Sequence, residues 1–318
     1  MEVRKVNGFF IIFVIGYIGL SVVCASIMAY AQNSGIAVPD WIQYVMSEGI
    51  ILLIAIIYMI VQKIDPIREI PYKRIGIVDV ILSLVAGYCL IPAVLLISNL
   101  SMLFSTNYLE EGTTTLLTYP FAMQVILLAV IPPLVEELIF RGIFFGSYRK
   151  AGMTGAALMS GLLFGCFHLN INQALYAFVM GIVFAYMVEA TGSLWSSVIA
   201  HFAVNTYSIG IVQILKMAGI YAQDGSVSET FENAESVAGQ STAVTVVQIA
   251  MIAVIAAVFM MLAVLCIRTM AKRHGNLEKM KIQKVKLSHI KNYFTAPVIV
   301  GLVVCVMYMI MLEFSGTL

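Results

Sequence analysis

The chain has 318 residues, a net charge of +1, 61% apolar residues and only 11% charged ones, with a mean hydropathy of +0.97. A soluble globular chain carries about 25% charged residues. The balance excludes a soluble enzyme and gives no basic surface for nucleic acid. It predicts an all-α, polytopic membrane protein whose constant partner is the lipid bilayer. The five cysteines all lie in apolar runs, with no CxxC spacing, and read as small buried hydrophobes rather than a disulfide framework or a thiolate metal site.

A spanning helix needs about 20 apolar residues. Nine candidates follow in chain order: 7–31, 41–62, 76–104, 119–147, 153–168, 172–189, 193–217, 242–267 and 293–313. The first follows a basic start, and its apolar run is too long for a cleaved signal peptide, so it reads as a retained helix. The fifth and sixth are short and are expected to be sheltered by their neighbours. Three segments organise the chain: N-terminal helices over 1–118, a motif-bearing core over 119–210, and C-terminal helices over 211–318 with a basic loop at 268–291.

The basic residues orient this map. Arg4 and Lys5 precede the first helix, Lys63, Arg68, Lys73 and Arg74 follow the second, and Arg149 and Lys150 follow the fourth. Eight more lie between Arg268 and Lys291. The alternate loops carry none, and two of them are acidic, with Glu110, Glu111, Asp224, Glu229, Glu232 and Glu235. A cytoplasmic N-terminus puts all these basic residues inside. His274 and His289, in the basic loop, read as solvated.

The fourth candidate helix carries an anomaly, Glu136, Glu137 and Arg141, in a segment otherwise made for lipid. A charge at the bilayer centre costs roughly 2.5–3.5 kcal/mol on insertion scales. Glu137 and Arg141 are i,i+4, so they can pair on one helix face. Glu136 projects about 100° away and is free to face something else. His168 ends the fifth helix, with Phe164 one turn before it. His201 and Asn205 share a stripe of the seventh. Pro132 and Pro133 are expected to kink the fourth helix and free backbone carbonyls.

A carboxylate and two histidines in a membrane pocket suit hydrolysis. Glu136 is the candidate general base, with His168 holding the water. His201 and Asn205 are candidate donors to an oxyanion. There is no HExxH and no GxSxG. Glu136, His168 and His201 can still form a zinc site with an open fourth position, so the metal question stays open.

The runs "EELIFR" (Glu136 to Arg141), "FGCFH" (Phe164 to His168) and "HFAVN" (His201 to Asn205), in that order, resemble the three motifs of the type 2 CAAX prenyl endopeptidase family, also called the CPBP or Abi family of intramembrane proteases. The resemblance covers about 119–210. It implies an all-helical membrane fold and endopeptidase activity, with Glu136 as the catalytic glutamate and Glu137, Arg141 and Phe164 in support. His168, His201 and Asn205 complete the site. It also implies a peptide or protein substrate, cleaved near its C-terminus or at a leader. A metal-free glutamate mechanism is the preferred expectation, with zinc as the alternative. Bacterial members are linked to bacteriocin self-immunity and peptide maturation. A non-catalytic immunity scaffold that keeps the pocket is a second reading. A transporter is a third, disfavoured because no second copy of the interrupted helix is present.

Overall fold

A computed structural model describes residues 2–106, 118–219, 242–285 and 287–315. Among the described residues there are helices and no strand. Nine helices carry the fold: α1 (Val3–Asn33), α2 (Trp41–Val61), α3 (Ile77–Ser101), α4 (Phe121–Ala151), α5 (Met153–Phe167), α6 (Ile171–Thr191), α7 (Trp195–Met217), α8 (Thr242–Arg273) and α9 (Ala296–Ser315). All but α5 hold a stretch long and apolar enough to cross a membrane, and the chain is an integral, multi-pass membrane protein. Lipid is the solvent here, so outward residues such as Ile12, Val22, Ile60 and Val254 are both exposed and apolar.

The boundaries differ from expectation at the sixth and eighth helices, while the fifth is short and sheltered as expected. The sixth helix, expected short, has 21 residues and spans fully. The fifth has 15, about 22 Å of rise, and is mostly buried among its neighbours. The eighth runs on to Arg273, so Arg268, Lys272 and Arg273 sit on its last turns rather than in a loop. His274 is exposed, as expected, and also donates from Nε2 to Asp79 Oδ2 at 3.1 Å, beside Arg273, whose Nε donates to Oδ1 at 3.2 Å. Asp79 is buried at the start of α3, and a buried carboxylate needs such partners. The acidic residues Glu110, Glu111, Asp224, Glu229, Glu232 and Glu235 lie outside the described residues, as does Lys286.

One aromatic cluster ties the N-terminal helices to the motif helices. Phe9 and Phe13 of α1 meet Phe140 and Phe144 of α4 and Phe167 of α5, with Phe13 and Phe167 stacked at 4.4 Å. Phe140 meets Phe164 at 5.0 Å, which brings the cluster to the edge of the motif residues. Helices α5 and α6 approach through glycine: a Cβ on Gly181 would come 2.6 Å from the Gly161 Cα. Small residues at such crossings let backbones pack closely in lipid.

Helix α3 closes on α7 in the same way. A Cβ on Gly87 would collide with the Ala200 carbonyl oxygen and come 2.8 Å from the Ala203 Cβ. Ala200 and Ala203 flank His201, so this contact fixes the height and rotation of the histidine stripe. Gly87→Val is expected to cost about 1–3 kcal/mol through overpacking. Thermal unfolding in detergent checks this. Gly8→Ala, with nothing within 4 Å of its Cβ, is expected to unfold like the parent protein.

Candidate functional site

The site is built on a helix that passes into π winding twice. Helix α4 starts with an α turn, passes through a π-helical stretch at Val125–Val130, returns to α over Ile131–Glu137, and becomes π again over Leu138–Phe145. The expected proline kink takes this form. Pro132 and Pro133 fall in the first turn of the restarted α segment, where a missing N–H costs least. The carbonyl of Leu128 is the one that loses both possible donors, since position 132 would serve an α bond and position 133 a π bond. Asn205 supplies the replacement, with Nδ2 donating to the Leu128 carbonyl at 2.9 Å. The carboxamide on α7 thereby pins the turn that precedes the glutamates.

Between the two π stretches, the short α segment presents Glu136 and Glu137. Glu137 Oε1 lies 2.9 Å from Arg141 Nη1, and both side chains are wholly buried. The guanidinium sits 4.3 Å from the Phe164 ring centre and 5.3 Å from that of Phe184. No protein hydrogen bond reaches its Nε or Nη2. Charge and two aromatic faces therefore hold it, and a desolvated cation–π contact is worth about 2 kcal/mol.

His201 stands between the two glutamates. Its Nδ1 lies 3.1 Å from Glu137 Oε1, and its Nε2 lies 3.8 Å from Glu136 Oε2. Phe164 and Phe184 flank its ring at 5.9 and 5.3 Å. Glu137 thus serves the arginine and the histidine with one oxygen. His168 caps α5, with Nδ1 2.8 Å from the Phe164 carbonyl. A carbonyl only accepts, so Nδ1 carries the hydrogen, and in the neutral ring Nε2 is left with a free lone pair. The next residue, Leu169, has a φ of 55°, in the left-handed region. That conformation costs a residue with a Cβ roughly 1–2 kcal/mol, and it turns the chain directly from α5 into α6. Asn170 caps α6 by accepting from the Gln173 N–H at 3.1 Å.

The structure thus gathers Glu136, Glu137, Arg141, Phe164 and His201 in one contact network. It sets His168 against Phe164 at 4.7 Å and Asn205 at the turn before the glutamates. Sequence reasoning missed three residues. Phe184 closes the second face of Arg141 and His201. Tyr176 on α6 and Glu48 on α2 both lie within electrostatic reach of Glu136. A glutamate eight residues into an apolar helix was itself a signal for Glu48.

Zinc fits poorly. Glu136, His168 and His201 were the candidate ligands. Among the described residues, no three His, Cys, Asp or Glu side chains gather as a metal-holding group. Nδ1 of His201 is engaged by Glu137 and Nδ1 of His168 by the Phe164 carbonyl, which leaves Nε2 as the ring nitrogen through which either would bind a metal.

The buried pair sets a clear expectation. Arg141→Ala leaves Glu137 uncompensated, a loss of about 3–5 kcal/mol for a broken buried pair. Thermal unfolding in detergent and yield from membranes are both expected to fall, and an unchanged unfolding midpoint would show that the pair does not carry this load.

Comparison with known proteins gives the same segment. Residues 118–207 match the family model "Type II CAAX prenyl endopeptidase Rce1-like". A curated relative, described as "Putative membrane peptidase YdiL", from Bacillus subtilis (strain 168), is 33% identical over 88 residues. That match covers 27% of this chain and 36% of the relative, so the chain spans about a third of the length of the curated relative it matches. No solved structure matches. The stretch from 118 to 207, which holds every motif residue of the pocket, is therefore similar to the type II CAAX prenyl endopeptidases, the family its three motifs resemble.

Proposed function

We propose that this protein is an intramembrane endopeptidase that hydrolyses a peptide bond with a water activated by Glu136. The observation that carries the reading is the environment of Glu136. Its Oε2 is buried without a hydrogen-bond partner, beside His201 and one residue from a carboxylate that is already neutralised by Arg141. Glu137 is spent on structure, and Glu136 is free for chemistry.

The steps follow from the donors and acceptors. A water gives one hydrogen to Glu136 and one to the lone pair on His168 Nε2. Glu136 takes its proton as the oxygen attacks the peptide carbonyl. The oxyanion that develops is met by the second amide hydrogen of Asn205, whose first is held by Leu128, and by Nε2–H of a His201 ring protonated on both nitrogens, whose Nδ1–H is held by Glu137. The proton on Glu136 then passes to the leaving nitrogen as the C–N bond breaks. No metal is needed in this sequence. The substrate is a peptide or protein that reaches the site through the bilayer, in a role akin to CAAX processing or to the maturation of bacteriocin-type peptides. The family match and the relative's name support this reading over a transporter. A pocket retained in a non-catalytic immunity scaffold is the alternative that the next experiment separates.

Purified protein is assayed on a quenched fluorogenic peptide. Glu136→Gln is expected to abolish cleavage while the unfolding midpoint holds. His168→Ala is expected to lose nearly as much, because base and water holder act as a unit. Asn205→Ala is expected to lose about 10²–10³ in turnover, the scale for one oxyanion donor. Chelator is expected to leave the parent rate unchanged. Wild-type turnover by Glu136→Gln would overturn the assignment.

The basic residues support an N-terminus in the cytoplasm. Reporter fusions after residues 70, 150 and 280 are expected to read cytoplasmic, and fusions after 112 and 230 external. An external signal after 280 would overturn this orientation.

A further inference from the structure

The pocket has one more carboxylate than the mechanism uses. Glu48 lies on α2, outside the segment matched to the family. Helix α2 packs on the α segment of α4 that carries the two glutamates and on the π stretch before it. Its turn at Ser47–Glu48 is fixed from behind. Tyr17 of α1 shares a hydrogen bond with Ser47 at 3.0 Å, and its ring meets Phe167, the neighbour of His168, at 5.0 Å. The same tyrosine therefore ties the Glu48 turn to the end of α5. The packing of α2 on α4 brings Glu48 within electrostatic reach of Glu136. Its Oε2 is buried and accepts no hydrogen bond from the protein.

Among the described residues three carboxylates here carry a buried oxygen without a donor, Glu48 Oε2, Glu136 Oε2 and Glu137 Oε2; Glu137 spends its other oxygen on Arg141 and His201, which leaves Glu48 and Glu136 for the substrate. Such oxygens require hydrogen-bond donors from whatever occupies the site. Peptide hydrolysis brings two kinds: the O–H groups of the attacking water and the N–H of the scissile bond. Glu136 takes the first as base. The second gains positive character as the nitrogen becomes an amine, and a carboxylate suits it better than any neutral acceptor.

We infer that Glu48 binds the leaving nitrogen, with Oε2 accepting the scissile N–H and holding that nitrogen where Glu136 can return its proton. This rests on the hydrolysis proposed above and adds a catalytic residue to it. The atoms balance. The water oxygen bonds to the carbonyl carbon and its proton goes to Glu136. The C–N bond breaks, that proton goes to nitrogen, and Glu48 keeps its hydrogen bond to the amine throughout. Glu136 ends as it began.

The test uses two substrates on the full-length protein: the fluorogenic peptide above, and its twin with an ester in place of the scissile amide. The ester has no N–H for Glu48 to hold. Glu48→Leu is expected to lower kcat on the amide roughly 10²-fold, the scale of a misplaced reacting group, with KM little changed and the ester rate close to the parent's. Glu48→Gln keeps a neutral acceptor and is expected to fall between the two on the amide. Equal losses on amide and ester would show a structural role and overturn the inference. Parent rates on both would overturn it as well. A cysteine pair, Glu48→Cys with Glu136→Cys, is expected to cross-link with a short bifunctional reagent, and failure to do so would remove its geometric basis. The underlying reading fails differently: there, Glu136→Gln keeps cleaving both substrates.

Discussion

The arrangement depends on burying a guanidinium in a place with almost no water. Arg141 is wholly buried among hydrocarbon and aromatic rings, and one carboxylate oxygen makes that tolerable. The cost of an isolated charge there is large, and the pair recovers it only while its geometry is kept. Much else follows from this. Phe164 and Phe184 must sandwich the guanidinium, which fixes the facing sides of α5 and α6. Gly181 has to lack a side chain, because its Cβ position lies 2.6 Å from the Gly161 Cα, with Arg141 Nη2 3.2 Å away. His201 finds its orienting acceptor in the same Glu137 oxygen. Glu136 remains the carboxylate that this scaffold does not consume.

Two adjacent glutamates therefore divide their labour by position alone. One residue of helical advance turns the second away from Arg141. The π turns on either side enlarge the local helix and spread successive side chains over a wider arc, and such turns recur at functional sites. The prolines upstream make the first π turn tolerable by withdrawing the donors that an α-helix would require. Asn205 then joins two tasks, serving the abandoned Leu128 carbonyl while keeping one amide hydrogen for the pocket.

Much of this was legible in the sequence, because in lipid a polar residue needs a reason. Helix count, the pairing of Glu137 with Arg141, and the proximity of the motif residues follow from apolar run length, i,i+4 spacing and the cost of charge. What escaped was whatever depends on tertiary neighbours. A proline pair announces disturbed backbone, but not that it resolves as π winding with a carboxamide on another helix as the missing donor. Glu48 escaped because it stands alone in its helix, and only the packing of α2 on α4 brings it to Glu136. The bond from His274 to Asp79 escaped because a loop position gives no hint of a partner 195 residues away.

Helix α5 is shorter than the hydrocarbon it must occupy. Its 15 residues rise about 22 Å, against a core of about 30 Å. Its first residue follows directly on Arg149 and Lys150, so the shortfall lies at the other end, where His168, Leu169 and Asn170 turn the chain at membrane depth. Irregular backbone survives there only under protein cover. The cover is polar: Asn172 donates to the Ser98 carbonyl and to Ser101 Oγ across α6 and α3. Helix α5 thus ends in a polar turn, and water admitted along that turn meets His168 first.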